Sequence, residues 1–338
     1  MRAWVVLGFS LTFAFAGTAG LHAQSQARGL PWSLYADREE WWVTHEDGCT
    51  NYVTEFGKGS PIVVIHGGFG AEHSYLIDGL AGLASTHRMI FYDQRGSLRS
   101  PYKVYQKGGS EPCPDSLITV ARHVSDLERL RRELGLDSMT LIAHSMGTFV
   151  ALSYLQQFPE RVAGLILLAP GTPLKPVDDK QVLAEQKAAV NSMFERPEVE
   201  LEKRKAGLDK LPLSEKQKTE EWRIRYASAN IYNVSKWREL RGGMAFYNGR
   251  AGSDAGKSMP ESYDFTDALR NRRCATTVIL GDHDISDMGA RVIRKQVAGI
   301  DRINLVVLKN AGHALWVDQP VALTAALNKA LGLCNTGN

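Results

Sequence analysis

The stretch TLIAHSMGTFV, residues 140–150, decides how the rest of the chain is read. An apolar run ends at Ala143, a compact turn centres on Ser145, and a helix is expected over about 146–157. The turn nearly spells G-x-S-x-G, the strand-to-helix turn that presents a reactive serine, with Ala143 where the first glycine stands. A five-letter pattern also arises by chance, so its weight depends on its structural context and on partners elsewhere in the chain.

Working outward, strand and helix patterns alternate. WWVTHEDGCTNYVTEF reads as a hairpin turning at Asp47-Gly48. PIVVIH is a short, wholly apolar and β-branched run, the mark of a buried parallel strand. A helical stretch over 72–84 leads to the strand RMIFYD at 88–93. Leu117, Val120, Val124, Leu127, Leu130 and Leu134 form one stripe at three- and four-residue steps, which predicts a helix over 116–134. Further strands are expected at 139–143, 163–169, 276–280 and 303–308, with helices near 286–299 and 319–331. This alternation predicts an α/β fold, a mostly parallel sheet with helices on both faces. Residues 172–272 break the rhythm, being charged, helix-prone and without a convincing strand. They read as a helical lid inserted between two core parts, 24–171 and 273–338, with the Gly- and Ser-rich run 242–258 as a mobile loop inside it.

The N-terminal residues 1–23 read as a secretory signal peptide: Arg2, an apolar stretch from Val5 to Ala16, then small residues offering cleavage near Ala19, Ala23 or Ala27. The apolar run is too short and too interrupted for a span, and no later segment is apolar enough, so no stable membrane anchor is expected after its removal. The protein is accordingly expected to be secreted or periplasmic. In an oxidising compartment the four cysteines can form two disulfides. Cys274 precedes a strand and Cys334 ends a helix that both reach the bottom of the sheet, so a Cys274–Cys334 bridge is expected, and Cys49–Cys113 by elimination. The cysteine spacings do not resemble a zinc site, and neither metal nor cofactor is expected. With 338 residues, 44% hydrophobic, 23% charged and a net charge of +3, the composition is that of a soluble globular protein and gives no footprint for nucleic acid.

A serine hydroxyl is too weakly acidic to attack a carbonyl unaided. It requires a base, a carboxylate to orient that base, and N–H donors for the oxyanion. Ser145 is the candidate nucleophile. ILGDHDISD supplies the acid at the end of a later strand: Asp284 is the choice, Asp282 the runner-up, and Asp287 fits a helix cap. His313, in the loop after the last strand, completes the order Ser, Asp, His. His66, His144 and His283 also lie near strand ends and are assigned to their own loops. Met146 N–H is the first expected oxyanion donor; the second comes from HGGFG, residues 66–70, with Gly68 preferred and Phe69 as the fallback. That loop lacks both G-x-G-x-x-G and the P-loop Lys-Ser/Thr, which argues against a phosphate cradle. An aspartate nucleophile, as dehalogenases and epoxide hydrolases of such a fold would need, is absent at position 145. A non-catalytic binding protein would typically lack one triad member, and all three are present.

Taken in order, HGGFG, FYDQRGSLRSPY at 91–102, DLERLRRELGLDSMTLIAHSMG, ILGDHD and NAGHALW resemble the α/β-hydrolase superfamily. DQRG, with Arg95, and the helix bearing Asp126, Leu127, Glu128 and Leu130 most resemble its proline iminopeptidase branch. The resemblance implies the α/β-hydrolase fold and cleavage of amide or ester bonds in a small-molecule or short peptide substrate through an acyl-enzyme. It favours an aminopeptidase over a carboxylesterase or lipase. Phe69 replaces the proline of HGGPG, and AHSMG lacks the tryptophan of GGSWG; the AHSMG form resembles elbows of lipases and esterases. Aminopeptidases of this branch hold the substrate amine with a lid carboxylate, for which Glu220 and Glu221 beside Trp222 are candidates, with Glu195 and Glu198 behind them. Phe69, beside the scissile bond, is the third expected substrate contact.

Overall fold

The computed structural model describes residues 38–100, 102–104, 110–241, 247–272 and 275–335. The expected signal peptide, 1–23, lies outside the described residues.

The expected hairpin is present: β1 (Glu39–Thr44) pairs antiparallel with β2 (Thr50–Phe56). β3 (Ser60–Ile65), α1 (Ser74–Leu80) and β4 (His87–Tyr92) follow. A small hairpin, β5 (Tyr102–Val104) with β6 (Ser110–Pro112), leads to α2 (Val120–Glu133). β7 (Met139–His144), α3 (Gly147–Gln157) and β8 (Val162–Leu168) make the next repeat. Helices α4 (Lys180–Phe194), α5 (Pro197–Lys205), α6 (Glu215–Asn230), α7 (Gly249–Lys257) and α8 (Thr266–Asn271) then intervene. The chain returns through β9 (Thr276–Gly281), α9 (Arg291–Val297) and β10 (Ile303–Leu308), and finishes with α10 (Leu315–Asp318) and α11 (Pro320–Asn335).

The main sheet has the order β1-β2-β4-β3-β7-β8-β9-β10. β1 with β2 and β2 with β4 are antiparallel; every other pairing is parallel. The apolar runs are explained by burial on both faces. Val63, Ile65, Leu141 and Leu165 point to the side covered by α2 and α3, where Val124, Leu127 and Phe149 meet them. Ile62, Val64, Ile142 and Ile166 point to the other side, against Leu76 and Leu80 of α1 and Leu323 and Leu327 of α11. Adjacent residues of one strand thus serve opposite layers, which leaves no polar face to alternate.

Three expectations are corrected. The helix foreseen from 116 begins at Val120, because Thr119 caps it by accepting from Arg122 N–H at 3.2 Å, and Leu117 belongs to a preceding single turn. The Gly- and Ser-rich run is not a loop over 249–257. It is α7, capped by Asn248, with Ala251 and Ala255 fully buried. The Cys274–Cys334 bridge is not made. Cys334 carries a free thiol that α11 turns toward β8, where a Cβ on Gly164 would meet its Sγ at 2.5 Å; Cys274 lies outside the described residues. The Cys49–Cys113 disulfide is present, joining the β1–β2 hairpin to the segment before α2 across 64 residues.

Sheet order positions the chemistry. After β3 the chain steps outward to β4 and later returns as β7 on the other side of β3. Strand order reverses there, and ligands of open α/β sheets gather at the carboxyl ends beside such a reversal. Ile65 pairs with Ala143, so the loop starting at His66 and the turn at Ser145 leave the sheet side by side. Leu308 pairs with Gly281, which brings the loops after β9 and β10 together on that same edge.

Candidate active site

Ser145 follows β7 directly and has φ of +53°. A non-glycine residue in this left-handed region costs about 1–3 kcal/mol, and such cost collects at functional turns. The turn is held by Ser145 N–H donating to the Leu168 carbonyl at 3.0 Å and by Thr148 N–H donating back to the Ser145 carbonyl at 3.0 Å. Two glycines let the backbones close in. A Cβ on Gly147 would lie 2.5 Å from the His66 carbonyl oxygen, and one on Gly67 would strike Ser145 Cβ and the His144 carbonyl. Ala143 has no such obstruction; its methyl is fully buried in the core facing α2 and α3. The missing first glycine of the motif is therefore no defect of this turn.

His313 Nδ1 lies 2.9 Å from Asp284 Oδ1, and both side chains are buried. Asp284 Oδ1 also accepts Ser286 N–H at 2.8 Å, while Oδ2 has no partner among the described residues. A carboxylate facing Nδ1 leaves Nε2 as the ring nitrogen available for proton exchange. Asp282 is engaged elsewhere, with His283 Nδ1 at 2.7 Å and Ala311 N–H at 3.3 Å. Burial alone would raise the pKa of Asp282, but those bonds outweigh it and lower the value. Asp287 accepts the N–H groups of Val292 at 3.0 Å and Ile293 at 2.7 Å, the helix-capping arrangement expected for it; burial dominates there and raises its pKa. No hydrogen bond joins Ser145 Oγ to His313 Nε2 in this structure. Such contacts commonly tighten only once substrate is bound. The two residues are brought together through His144, whose ring centroid lies 4.7 Å from that of His313.

Met146 sits at the N-terminus of α3, where the helix directs partial positive charge. Its N–H and that of Gly68 donate to no protein acceptor among the described residues. Gly68 itself has φ of +59°. The loop entering Gly68 is fixed at both backbone polar groups of Gly67. Gly67 N–H donates to Tyr75 Oη at 2.7 Å, and the Gly67 carbonyl lies 2.9 Å from His66 Nδ1. His66 Nε2 accepts Gln94 N–H at 3.0 Å, so Nδ1 carries the proton and donates. Beyond Gly68, Asn248 N–H donates to the Gly70 carbonyl and Asn248 Nδ2 to the Gly96 carbonyl, each at 2.7 Å. Phe69 is buried and stacks on His123, ring centroids 5.6 Å apart.

DQRG forms the scaffold behind this loop. Arg95 is buried and engages both oxygens of Asp126, with Nε 2.7 Å from Oδ2, and its Nη1 reaches Asp47 Oδ2 at 2.8 Å. Glu72, His73 and Asp93 come close enough to hold a metal ion. Their donor atoms are already in use: His73 Nδ1 lies 2.7 Å from Asp93 Oδ1, Arg99 N–H donates to Asp93 Oδ2 at 3.0 Å, and Glu72 accepts from Ser74. The cluster is a brace between loops.

Of the expected lid glutamates, Glu221 is engaged within the inserted helices themselves, pairing with Lys203 at 3.1 Å. On α6, Tyr226 is stacked on Trp222, ring centroids 5.4 Å apart. At about 100° per residue, Glu220 and Glu221 each lie roughly 120–140° around the helix from Tyr226. Glu195 is exposed at the end of α4. Glu198 borders a cavity of about 600 Å³ with Arg196, Tyr232, His283 and Asp318, whose lining does not include Ser145. Sequence reasoning missed Tyr75, Trp316, Tyr226 and Asn248. Only Asn248 carried a signal, as an Asn directly ahead of a helix-compatible run. The others depend on which loops become neighbours.

A family model described as alpha/beta hydrolase fold matches residues 60–319. The proline iminopeptidase of Heyndrickxia coagulans is 30% identical over 193 residues, 53% of this chain and 64% of that protein. The (lyso)-N-acylphosphatidylethanolamine lipase of Bos taurus is 34% identical over 126 residues, 37% of this chain and 34% of that protein. The chain thus spans less than two thirds of the length of either relative. Among solved structures, a proline iminopeptidase-related protein from Thermus thermophilus superposes with a TM-score of 0.61 at 24% identity, covering 89% of this chain and 99% of that one. An esterase from Thermogutta terrifontis gives a TM-score of 0.58 at 22% identity, covering 89% and 100%. At those identities the structural likeness speaks to fold alone. With the matched family model spanning most of its length, the chain belongs to the α/β-hydrolase fold family.

Proposed function

We propose that this protein is an exported serine hydrolase that cleaves small amide or ester substrates, acting as an aminopeptidase of the proline iminopeptidase type. The observation that carries the hydrolase reading is the His313–Asp284 pair, 2.9 Å apart, on the same sheet edge as a serine held at positive φ. In this reading Ser145 Oγ gives its proton to His313 Nε2 and attacks the carbonyl carbon. Asp284 steadies the imidazolium, and the N–H groups of Met146 and Gly68 take the developing oxyanion. His313 then protonates the leaving group, and water releases the acyl group by the same steps in reverse order. Relatives named as proline iminopeptidases support the peptidase assignment. Export, to the periplasm or the medium, is supported by the character of residues 1–23 and by a Cys49–Cys113 disulfide, a bond that persists in oxidising compartments.

A second reading, a carboxylesterase, is favoured by one observation: Glu221 is committed to Lys203, so it does not supply the carboxylate an aminopeptidase needs for the substrate amine. A substrate panel on the purified protein separates the two. The peptidase reading expects kcat/KM for a prolyl arylamide to exceed that for N-acetylprolyl arylamide by about 100-fold or more, since blocking the amine removes a charged contact. Rapid turnover of short acyl esters with no cleavage of either arylamide would establish the esterase instead.

A further inference from the structure

Beneath the candidate site, one chain of hydrogen bonds links three loops. Gly67 N–H donates to Tyr75 Oη at 2.7 Å, Tyr75 Oη lies 2.8 Å from His144 Nδ1, and His144 Nε2 lies 3.2 Å from the His313 carbonyl oxygen. The two ends set its direction. A backbone N–H can only donate and a carbonyl can only accept, so His144 carries its proton on Nε2 and Tyr75 donates to Nδ1. The ring is neutral: burial first, and the neighbouring His313 second, push its pKa well below the ordinary histidine value. Trp316 closes the group, its ring centroid 5.2 Å from that of His144 and 5.6 Å from that of Tyr75.

We propose that Tyr75 and His144 are positioning residues that fix the spacing between the oxyanion loop and the general base across Ser145, an inference that rests on the serine hydrolase reading. Gly67 leads into Gly68, His144 is bonded to Ser145, and the His313 carbonyl belongs to the base itself. The chain therefore ties together the loops after β3, β7 and β10, which carry three of the four reacting parts. Both side chains are buried, and each acts through Gly67 or His313. A displacement of about 1 Å among such groups is enough to cost roughly 100-fold in rate.

The test is inactivation by a fluorophosphonate probe, followed against probe concentration. Tyr75→Phe keeps the ring packed on Trp316 but removes the link. It is expected to lower the maximal inactivation rate about tenfold or more while leaving the half-saturating concentration within about twofold. His144→Gln, which keeps an N–H for the His313 carbonyl, is expected to lose less than about fivefold, and His144→Leu at least about tenfold. Melting temperatures are read alongside. A Tyr75→Phe protein with a lowered melting temperature and a wild-type maximal rate would make the chain purely structural and overturn the proposal, as would equal rates for His144→Gln and His144→Leu. Wild-type protein that takes no label at all would instead remove the serine hydrolase reading on which the proposal rests.

Discussion

Replacing His313 with alanine is expected to lower kcat by at least about 10⁴-fold with little change in KM. The proton on Ser145 then has no acceptor, and the N–H groups of Met146 and Gly68 are left to stabilise an oxyanion that seldom forms. Asp284→Asn is expected to fall by a similar factor, about 10⁴. The amide can donate to His313 Nδ1 where the carboxylate accepted at 2.9 Å, so the proton moves to Nε2, the nitrogen that must stay free. Asp282→Asn is the internal control. Its carboxylate serves His283 and Ala311, and activity within about tenfold of wild type is expected. Steady-state rates of the three variants check the assignment, and a loss in Asp282→Asn matching that of Asp284→Asn would reassign the acid.

Arg95→Ala is expected to destabilise the fold by about 3–5 kcal/mol, the usual cost of leaving a buried charge without its partner. Arg95 and Asp126 are both buried, and Asp126 receives the guanidinium on both oxygens. Burial by itself would lower the pKa of Arg95, yet the bonds from Asp126 and Asp47 raise it, so the cation is firmly held. The same side chain donates to the Leu117 carbonyl at 3.1 Å, joining the β1–β2 turn, the loop after β4 and the start of α2. Urea denaturation of wild type and variant measures the loss. An Arg95→Met, Asp126→Leu double variant is expected to recover much of it, because neither charge then remains buried. Equal stability of wild type and Arg95→Ala would remove DQRG from the scaffold.

What could be read from sequence depended on whether one segment carried its own signal. β3, β7, β8 and β9 were legible because burial on both faces demands apolar, β-branched runs, and β10 carries a similar run in INLVVL. Ser145, Asp284 and His313 could be named because each follows such a run, and parallel strands bring their carboxyl ends to one edge. α7 was misread for the opposite reason. Its buried stripe is only Ala251, Gly252 and Ala255, residues too small to stand out in the sequence, yet they are what allow close packing: a Cβ on Gly252 would collide with the Phe69 carbonyl, and one on Gly96 would meet Ala251 Cβ at 2.8 Å. Glu220 and Glu221 show the limit of composition in a helix, since a charged residue is recognisable while the face it occupies depends on how the helix docks. Cys334 fails in the same way, with α11 turning its sulfur toward Gly164. In the chain Gly67–Tyr75–His144–His313 one link alone joins residues 169 apart, and it has no local trace.

The proposed activation of Ser145 by His313 is read from the mass of the protein and its peptides after exposure to a fluorophosphonate. One adduct is expected, on the peptide containing Ser145, absent in Ser145→Ala and slowed at least about 10³-fold in His313→Ala. Folded wild-type protein without an adduct, or with its adduct on another residue, would contradict the account.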